Sequence, residues 1–289
     1  MPTKIEKDAV SGTETTGHEW DGIKELDTPL PRWWLYVFFA CIVFAVGYWI
    51  LYPSWPTGRG YLPGVLGYSQ RVTIGQDLAA ARAAQAGMRG RIEKASLAEI
   101  VASPELLAFA IAGGGATFAD NCAPCHGAGG AGARGFPNLA DDDWLWGGDL
   151  ETIFQTVRYG IRSDNEETRQ SDMPRFGLDG ILTAAEIDAV AEYVLSFSGR
   201  ADDPAAAQRG AAIFADNCAA CHGDNGEGNR ELGAPRLNDQ IWLYGGDKKT
   251  IVETDTRARR GVMPAWIGRL DEAALKMVTV YVHSLGGGE

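Results

Sequence analysis

Two five-residue stretches, Cys122-Ala-Pro-Cys125-His126 and Cys218-Ala-Ala-Cys221-His222, hold the residue types from which this chain could build chemistry. Thiols at i and i+3 share one helical turn and can add to the two vinyl groups of a haem, forming thioethers. The imidazole that follows is then placed to bind the iron. With five cysteines and four histidines among 289 residues, one such pattern arises by chance in about one sequence in a thousand. Other uses of paired cysteines fit less well. A four-cysteine zinc site would join the two pairs, but zinc ribbons separate theirs by about 15–20 residues and here a whole domain intervenes. Redox-active disulfides of the thioredoxin type need a strand–helix context that neither pair has. Neither use explains a histidine in both copies.

A second axial ligand is expected downstream of each motif. Met173 follows His126 by 47 residues and Met263 follows His222 by 41, each as Met-Pro. Proline keeps such a loop out of a helix and leaves the thioether sulfur free to face a metal. The expected iron ligands are therefore His126, Met173, His222 and Met263, and the expected cofactor is two covalently bound haem c groups on Cys122, Cys125, Cys218 and Cys221. Pro137 and Pro235 lie 11 and 13 residues beyond their histidines. Their carbonyls can accept the Nδ1–H of the ligating imidazole and fix its orientation. Trp144 and Trp242 are candidates to shield the haem or donate to a propionate, with plain packing as the alternative. Met277 reads as helix packing, Met88 precedes the motifs, and His283 reads as a partly exposed helix residue.

The elements that must position these groups are duplicated. Phe118-Ala-Asp-Asn-Cys122 recurs as Phe214-Ala-Asp-Asn-Cys218, Trp144-Leu-Trp-Gly-Gly-Asp149 as Trp242-Leu-Tyr-Gly-Gly-Asp247, and Met173-Pro174 as Met263-Pro264. A period of about 95 residues suits two complete small domains, not a solenoid. Thr183 and Glu186 form a capping box ahead of Ile187, Val190, Tyr193, Val194 and Phe197 on one helical face. Asp271 caps a second helix carrying Ala274, Leu275, Val278, Tyr281, Val282 and Leu285. No sustained period-2 alternation is present, so the expected fold is mainly α, with one N-terminal transmembrane helix followed by two tandem domains at 105–200 and 201–289. Residues 53–104 read as a linker, extended over 53–75 and helical over 76–112.

No charge lies between Trp33 and Gly58. Residues 33–52 are long enough, at about 1.5 Å per residue, to cross a hydrocarbon layer of about 30 Å. Trp33 and Trp34 at one end and Tyr48, Trp49, Tyr52 and Trp55 at the other suit the two lipid–water boundaries. An acidic segment of 32 residues precedes the run, which fits a signal peptide poorly. Cys41 within it reads as a small apolar filler. Basic residues do not orient the span: Lys24 and Arg32 flank one side, Arg59 and Arg71 the other. The net charge of −12 argues against a nucleic-acid partner. Beyond residue 52 the chain carries 22 basic and 31 acidic residues, net −9, which suits steering of a basic protein partner.

Cys-x-x-Cys-His, a Pro-x-Leu loop and a downstream Met in both halves resemble a pair of class I cytochrome c domains. With His18-Glu-Trp-Asp-Gly-Ile23 and Pro29-Leu-Pro-Arg-Trp-Trp34 running into one span, nearly the whole chain resembles the dihaem FixP/CcoP subunit of cbb3-type haem–copper cytochrome c oxidases. That resemblance implies a complex with a copper-bearing catalytic subunit and a monohaem membrane subunit. It also implies an inner-membrane location, with residues 1–32 cytoplasmic and 53–289 periplasmic, because haem attachment takes place outside the cytoplasm. The implied role is electron transfer from a soluble cytochrome c donor toward the oxidase, without a catalytic centre of the chain's own. A dihaem subunit of a membrane dehydrogenase and a dihaem peroxidase are the alternatives. One departure is the longer loop Ser163 to Gln170 before Met173, whose path the resemblance leaves open.

Overall fold

Asp21 and Gly22 take positive φ, 51° and 85°, and form a two-residue turn whose twist suits a hairpin. It joins β1 (Thr15–Trp20) to β2 (Ile23–Leu26) as an antiparallel pair with Trp20 opposite Ile23. The computed structural model describes residues 4–287 and separates into an N-terminal unit, Met1–Arg82, and a larger unit, Ala83–Glu289. In the first unit the hairpin is followed by α1 (Arg32–Leu51), within one residue at each end of the expected span. None of its side chains is buried, and among the described residues it is the one helix long and apolar enough to cross a membrane. Trp34 stacks on Phe38 at 5.4 Å and Tyr48 on Tyr52 at 4.8 Å, so rings gather at both ends.

The stretch read as an extended linker is more ordered than its composition suggests. It holds a short hairpin, β3 (Pro56–Thr57) with β4 (Gly60–Tyr61). Helix α2 (Gln70–Lys94) then begins six residues before the expected start. Gly75 looked like linker in the sequence, but a helix tolerates an exposed glycine at a cost of about 1 kcal/mol.

In the larger unit, side-chain caps start nearly every helix. Ser96 and Glu99 form a capping box on α3 (Leu97–Ala102). Ser103 caps α4 (Pro104–Asn121), with Pro104 in the first turn where its missing N–H costs nothing. The Cys-x-x-Cys-His motifs form single turns, α5 (Ala123–His126) and α9 (Ala219–His222). Asp149 caps α6 (Leu150–Tyr159), and Thr183 with Glu186 caps α7 (Ala184–Ser196). Asp203 caps α8 (Pro204–Asn217), Asp247 caps α10 (Lys248–Arg257) and Asp271 caps α11 (Glu272–His283).

The pairing of these helices departs from the sequence order. Helix α4 packs on α11, not on α7, and α8 packs on α7. Phe118 lies 5.3 Å from the Tyr281 ring, and Phe214 lies 5.3 Å from Tyr193. At each crossing a glycine lets the backbones meet. A Cβ on Gly114 would collide with the Met277 carbonyl, and one on Gly210 with that of Ala189. Met277 is accordingly core, 2% exposed.

Helices α7 to α10 thus form a nested body, and α3 to α6 with α11 form an outer body around it in sequence. The outer core includes Phe118, Ile153, Val157, Leu275 and Val278; the nested core includes Val190, Val194, Phe214 and Ile251. The packed bodies therefore do not follow the division 105–200 and 201–289. Both sequence copies offer the same Phe, Gly and Tyr faces, so the faces alone do not dictate which helices pair. The chain crosses from one body to the other at 161–172 and returns at 258–263. There Ile161 and Met263 exchange backbone hydrogen bonds of 3.0 Å, and Arg162 Nε donates to Gly261 O at 2.7 Å.

Candidate cofactor sites

Each Cys-x-x-Cys-His turn is held rigidly by its own backbone. His126 N donates to Cys122 O and His222 N to Cys218 O, both at 2.9 Å, and each turn ends on a glycine with φ of 78°. The first cysteine of each pair is half-buried and the second exposed. Burial pushes the Cys122 thiol up to about 11, with the neighbouring Cys125 adding to the effect. It pushes Cys218 up to about 12, helped by the charges of Asp255 and Cys221. Such thiols stay protonated at neutral pH, unlike the low-pKa cysteines of redox motifs. Among the described residues no three His, Cys, Asp or Glu side chains converge on a point.

The imidazoles are prepared as ligands. His126 Nδ1 lies 3.1 Å from Pro137 O and His222 Nδ1 lies 2.9 Å from Pro235 O. A carbonyl can only accept, so Nδ1–H donates and Nε2 keeps its lone pair for a metal. Burial lowers both histidine pKa values, against the opposing effect of the carbonyl, and so favours the neutral ring, the form able to ligate a metal. The Pro-x-Leu loops are tied back by short bonds: Leu139 N to Gly130 O at 2.6 Å and Leu237 N to Gly226 O at 2.7 Å.

The two methionines sit across the exchange. Met263 packs against the outer core that also holds Cys122, Phe118 and Val157. Its loop returns to α6 through Ile267 N to Arg158 O at 3.0 Å. Met173 lies beside the end of α10, where Leu178 N donates to Thr256 O at 3.1 Å. It lines a cavity of about 340 Å³ with Arg175, Arg257 and Ala258, beside an Asp172–Arg260 ion pair. The structure therefore brings Met263 to the body of His126 and Met173 to the body of His222, and not the pairs that sequence order suggests. The loop 163–170 is folded on itself, with Ser163 Oγ donating to Tyr159 O and Arg169 Nε to Thr156 Oγ1.

Both indole N–H groups donate to backbone carbonyls. Trp144 Nε1 donates to Gly287 O, and Trp242 Nε1 to Asp239 O at 3.3 Å. Sequence reasoning overlooked the second aromatic of that motif. Arg169 lies 5.1 Å over Trp146 and Arg259 lies 4.8 Å over Tyr244. Tyr244 covers Gly135 of the outer body, and Trp146 covers Gly233 of the nested one. The repeated Trp-Leu-Trp/Tyr pattern was the available signal. Between the bodies a cavity of about 550 Å³ is bounded by Pro137, Pro235, Arg134, Asp143 and Trp242. Paired thiols on one turn, one half-buried and one exposed, neutral imidazoles with a free nitrogen and a methionine on each body form a donor set that fits haem c.

Comparison with known proteins gives the same picture. The family model described as the N-terminal domain of cytochrome oxidase-cbb3, FixP, matches residues 12–59. The model for cytochrome C oxidase, cbb3-type, subunit III, matches 109–194 and again 205–282. The chain is 57% identical to the cbb3-type cytochrome c oxidase subunit FixP of Bradyrhizobium sp. (strain ORS 278), covering 100% of both chains. It is 53% identical to subunit CcoP of Azospirillum brasilense, over 98% of this chain and 99% of that one. It is 53% identical to subunit CcoP of Cereibacter sphaeroides, over 100% of both. The duplicated Cys-x-x-Cys-His turns, the apolar N-terminal helix and these full-length matches together place the chain in the FixP/CcoP family of cbb3-type cytochrome c oxidase subunits, a family of haem c proteins.

Proposed function

We propose that the chain carries two haem c groups and passes single electrons from a soluble cytochrome donor to the catalytic haem–copper subunit of its oxidase. Cys122 and Cys125 would hold one haem, with His126 and Met263 as the residues that would ligate its iron. Cys218 and Cys221 would hold the other, with His222 and Met173. The observation that carries this reading is the packing of Met263 against the same core as Cys122, across the exchange of helices. When bound, haem supplies a one-electron centre whose iron cycles between ferric and ferrous states. The protein's own part is to leave no position open: with a histidine and a methionine both committed to each iron, the site would favour outer-sphere transfer over binding of peroxide or oxygen.

Helix α1 anchors the chain in the inner membrane, with the haem-bearing bodies on the periplasmic side and residues 1–32 in the cytoplasm. The monohaem cytochrome subunit and the catalytic subunit are the expected membrane partners. The test is covalent haem quantitation with ferric spectra of the full chain. Two haems per chain, each with a Met–iron band, are expected. Met263→Ala should abolish that band for the haem on Cys122 and Cys125, identified by its loss in a Cys122→Ala/Cys125→Ala variant. Loss of the other haem's band instead would overturn the ligand assignment. Substantial peroxide turnover by the unmodified protein would favour a peroxidase.

A further inference from the structure

The nested body contains one ionisable group that haem binding leaves unexplained. Asp255 lies on α10 one turn beyond the buried Ile251, and its Oδ2 is buried with no hydrogen-bond partner. The Thr-Ile pairs Thr152-Ile153 and Thr250-Ile251 set α6 and α10 in register, which makes Val157 the counterpart of Asp255. Val157 is buried in the core that also holds Cys122 and Met263. Where one copy has an isopropyl group in the core against which its first motif cysteine packs, the other has a carboxyl. Asp255 is near enough to Cys218 for its charge to raise that thiol.

The surrounding charges are engaged elsewhere. Lys248 of α10 binds Asp188 and Glu192 of α7 at 2.8 and 2.9 Å. Arg259 donates to Thr250 O at 2.8 Å and reaches Thr254 and Glu253. In the loop ahead of α7, Asp172 pairs with Arg260 and Arg175 with Asp179. Lys249, Glu253 and Arg257 lie on the exposed side of α10. From α7, Tyr193 is taken up by Phe214 of α8, and among the described residues no charged side chain offsets the Asp255 carboxyl, for which burial is the one cause of shift. Burial alone then pushes the Asp255 carboxyl up to about 7.

We propose that Asp255 couples a proton to the redox state of the haem on Cys218 and Cys221, taking one proton from solvent for each electron that centre gains and releasing it on reoxidation. The inference rests on the haem assignment above. A ferric centre carries one more positive charge than a ferrous one, and that charge favours the carboxylate. One-electron reduction removes the charge, and an unpaired carboxylate in a poorly solvated site then binds H⁺. The electron comes from the donor and the proton from water, so each turnover balances. Val157 gives the haem on Cys122 and Cys125 no such partner.

The test is a spectroelectrochemical titration of the full-length holoprotein in detergent, repeated from about pH 5 to about pH 9. One midpoint potential should fall with rising pH and the other stay level. The slope should approach at most about 59 mV per unit, the value for a tenfold change in a one-electron equilibrium. Asp255→Asn and Asp255→Val should each abolish the slope. They should also remove a protonated-carboxyl C=O stretch from the reduced-minus-oxidised infrared difference spectrum, which a purely structural role would not move. Two level potentials in the unmodified protein, or a slope that survives both substitutions, overturns the proposal. Haem content is measured on the same samples. Two haems with level potentials refute the proton coupling alone, whereas fewer than two refute the haem assignment and the coupling with it.

Discussion

A ligating histidine needs its second nitrogen fixed, and here both histidines use the carbonyl of a proline. That arrangement was visible in the sequence because spacing and residue type suffice to state it. Asp255 was not, since one carboxyl in a helix signals nothing until its burial is known. Its burial has a consequence for stability as well as for potential. In the ferrous holoprotein no cationic centre offsets the carboxylate, so the folded pKa lies above the unfolded value of about 3.9. A raised pKa means that stability is fully present below about pH 4 and is lost as pH rises through about 7. The loss should approach about 4 kcal/mol, taking about 1.4 kcal/mol per unit. Denaturant midpoints of the ferrous full chain should fall across that window in the unmodified protein. In Asp255→Val this share of the pH dependence should vanish; an unchanged profile would mean that the carboxyl is solvated.

Among the elements, helix caps and turns were legible, while helix partners were not. Thr183 with Glu186 and Asp271 mark helix starts that the structure reproduces, because a cap is decided within four residues. The hairpin at 15–26 was overlooked although Asp21-Gly22 announces it, since its strands are short and lack alternation. Helix ends show where the two copies differ. Gly160 ends α6 with φ of 74°, but the matching Ala258 ends α10 in the left-handed region with φ of 51°. A Cβ there is strained. Ala258→Gly should stabilise the nested body by about 0.5–1 kcal/mol. Gly210→Ala should act in the opposite sense, because the new Cβ meets the Ala189 carbonyl at the α7–α8 crossing. A loss of about 1–3 kcal/mol is expected. Thermal melts of both variants, followed by the nested haem's Met–iron band, check the two signs together.

For the whole molecule, the exchange of helices was hidden because the two copies carry the same contact faces. Unequal connections were its one trace: Met173 follows Gly160 by 13 residues, whereas Met263 follows Ala258 by five. The nesting leaves two chain crossings between the bodies, and two of the remaining contacts form a matched pair. Tyr244 closes over Gly135 while Trp146 closes over Gly233, each under its own arginine. Gly135 N also donates to Leu243 O at 2.8 Å, and Arg134 Nε to Tyr244 O at 2.9 Å. These contacts fix the separation of the two proposed haems, so they set the rate of electron exchange between them and not the potential of either. Trp146→Ala or Tyr244→Ala alone leaves the other cover in place and should slow exchange only slightly. Removing both frees the bodies about the two crossings, so the double variant should slow exchange by more than the product of the single effects, with a coupling of about 0.5–3 kcal/mol in stability. Flash reduction of the full chain followed at the two haems measures the rate, and unchanged Met–iron bands show that the sites are intact. A double variant no slower than either single one would mean that the crossings alone hold the haems in place.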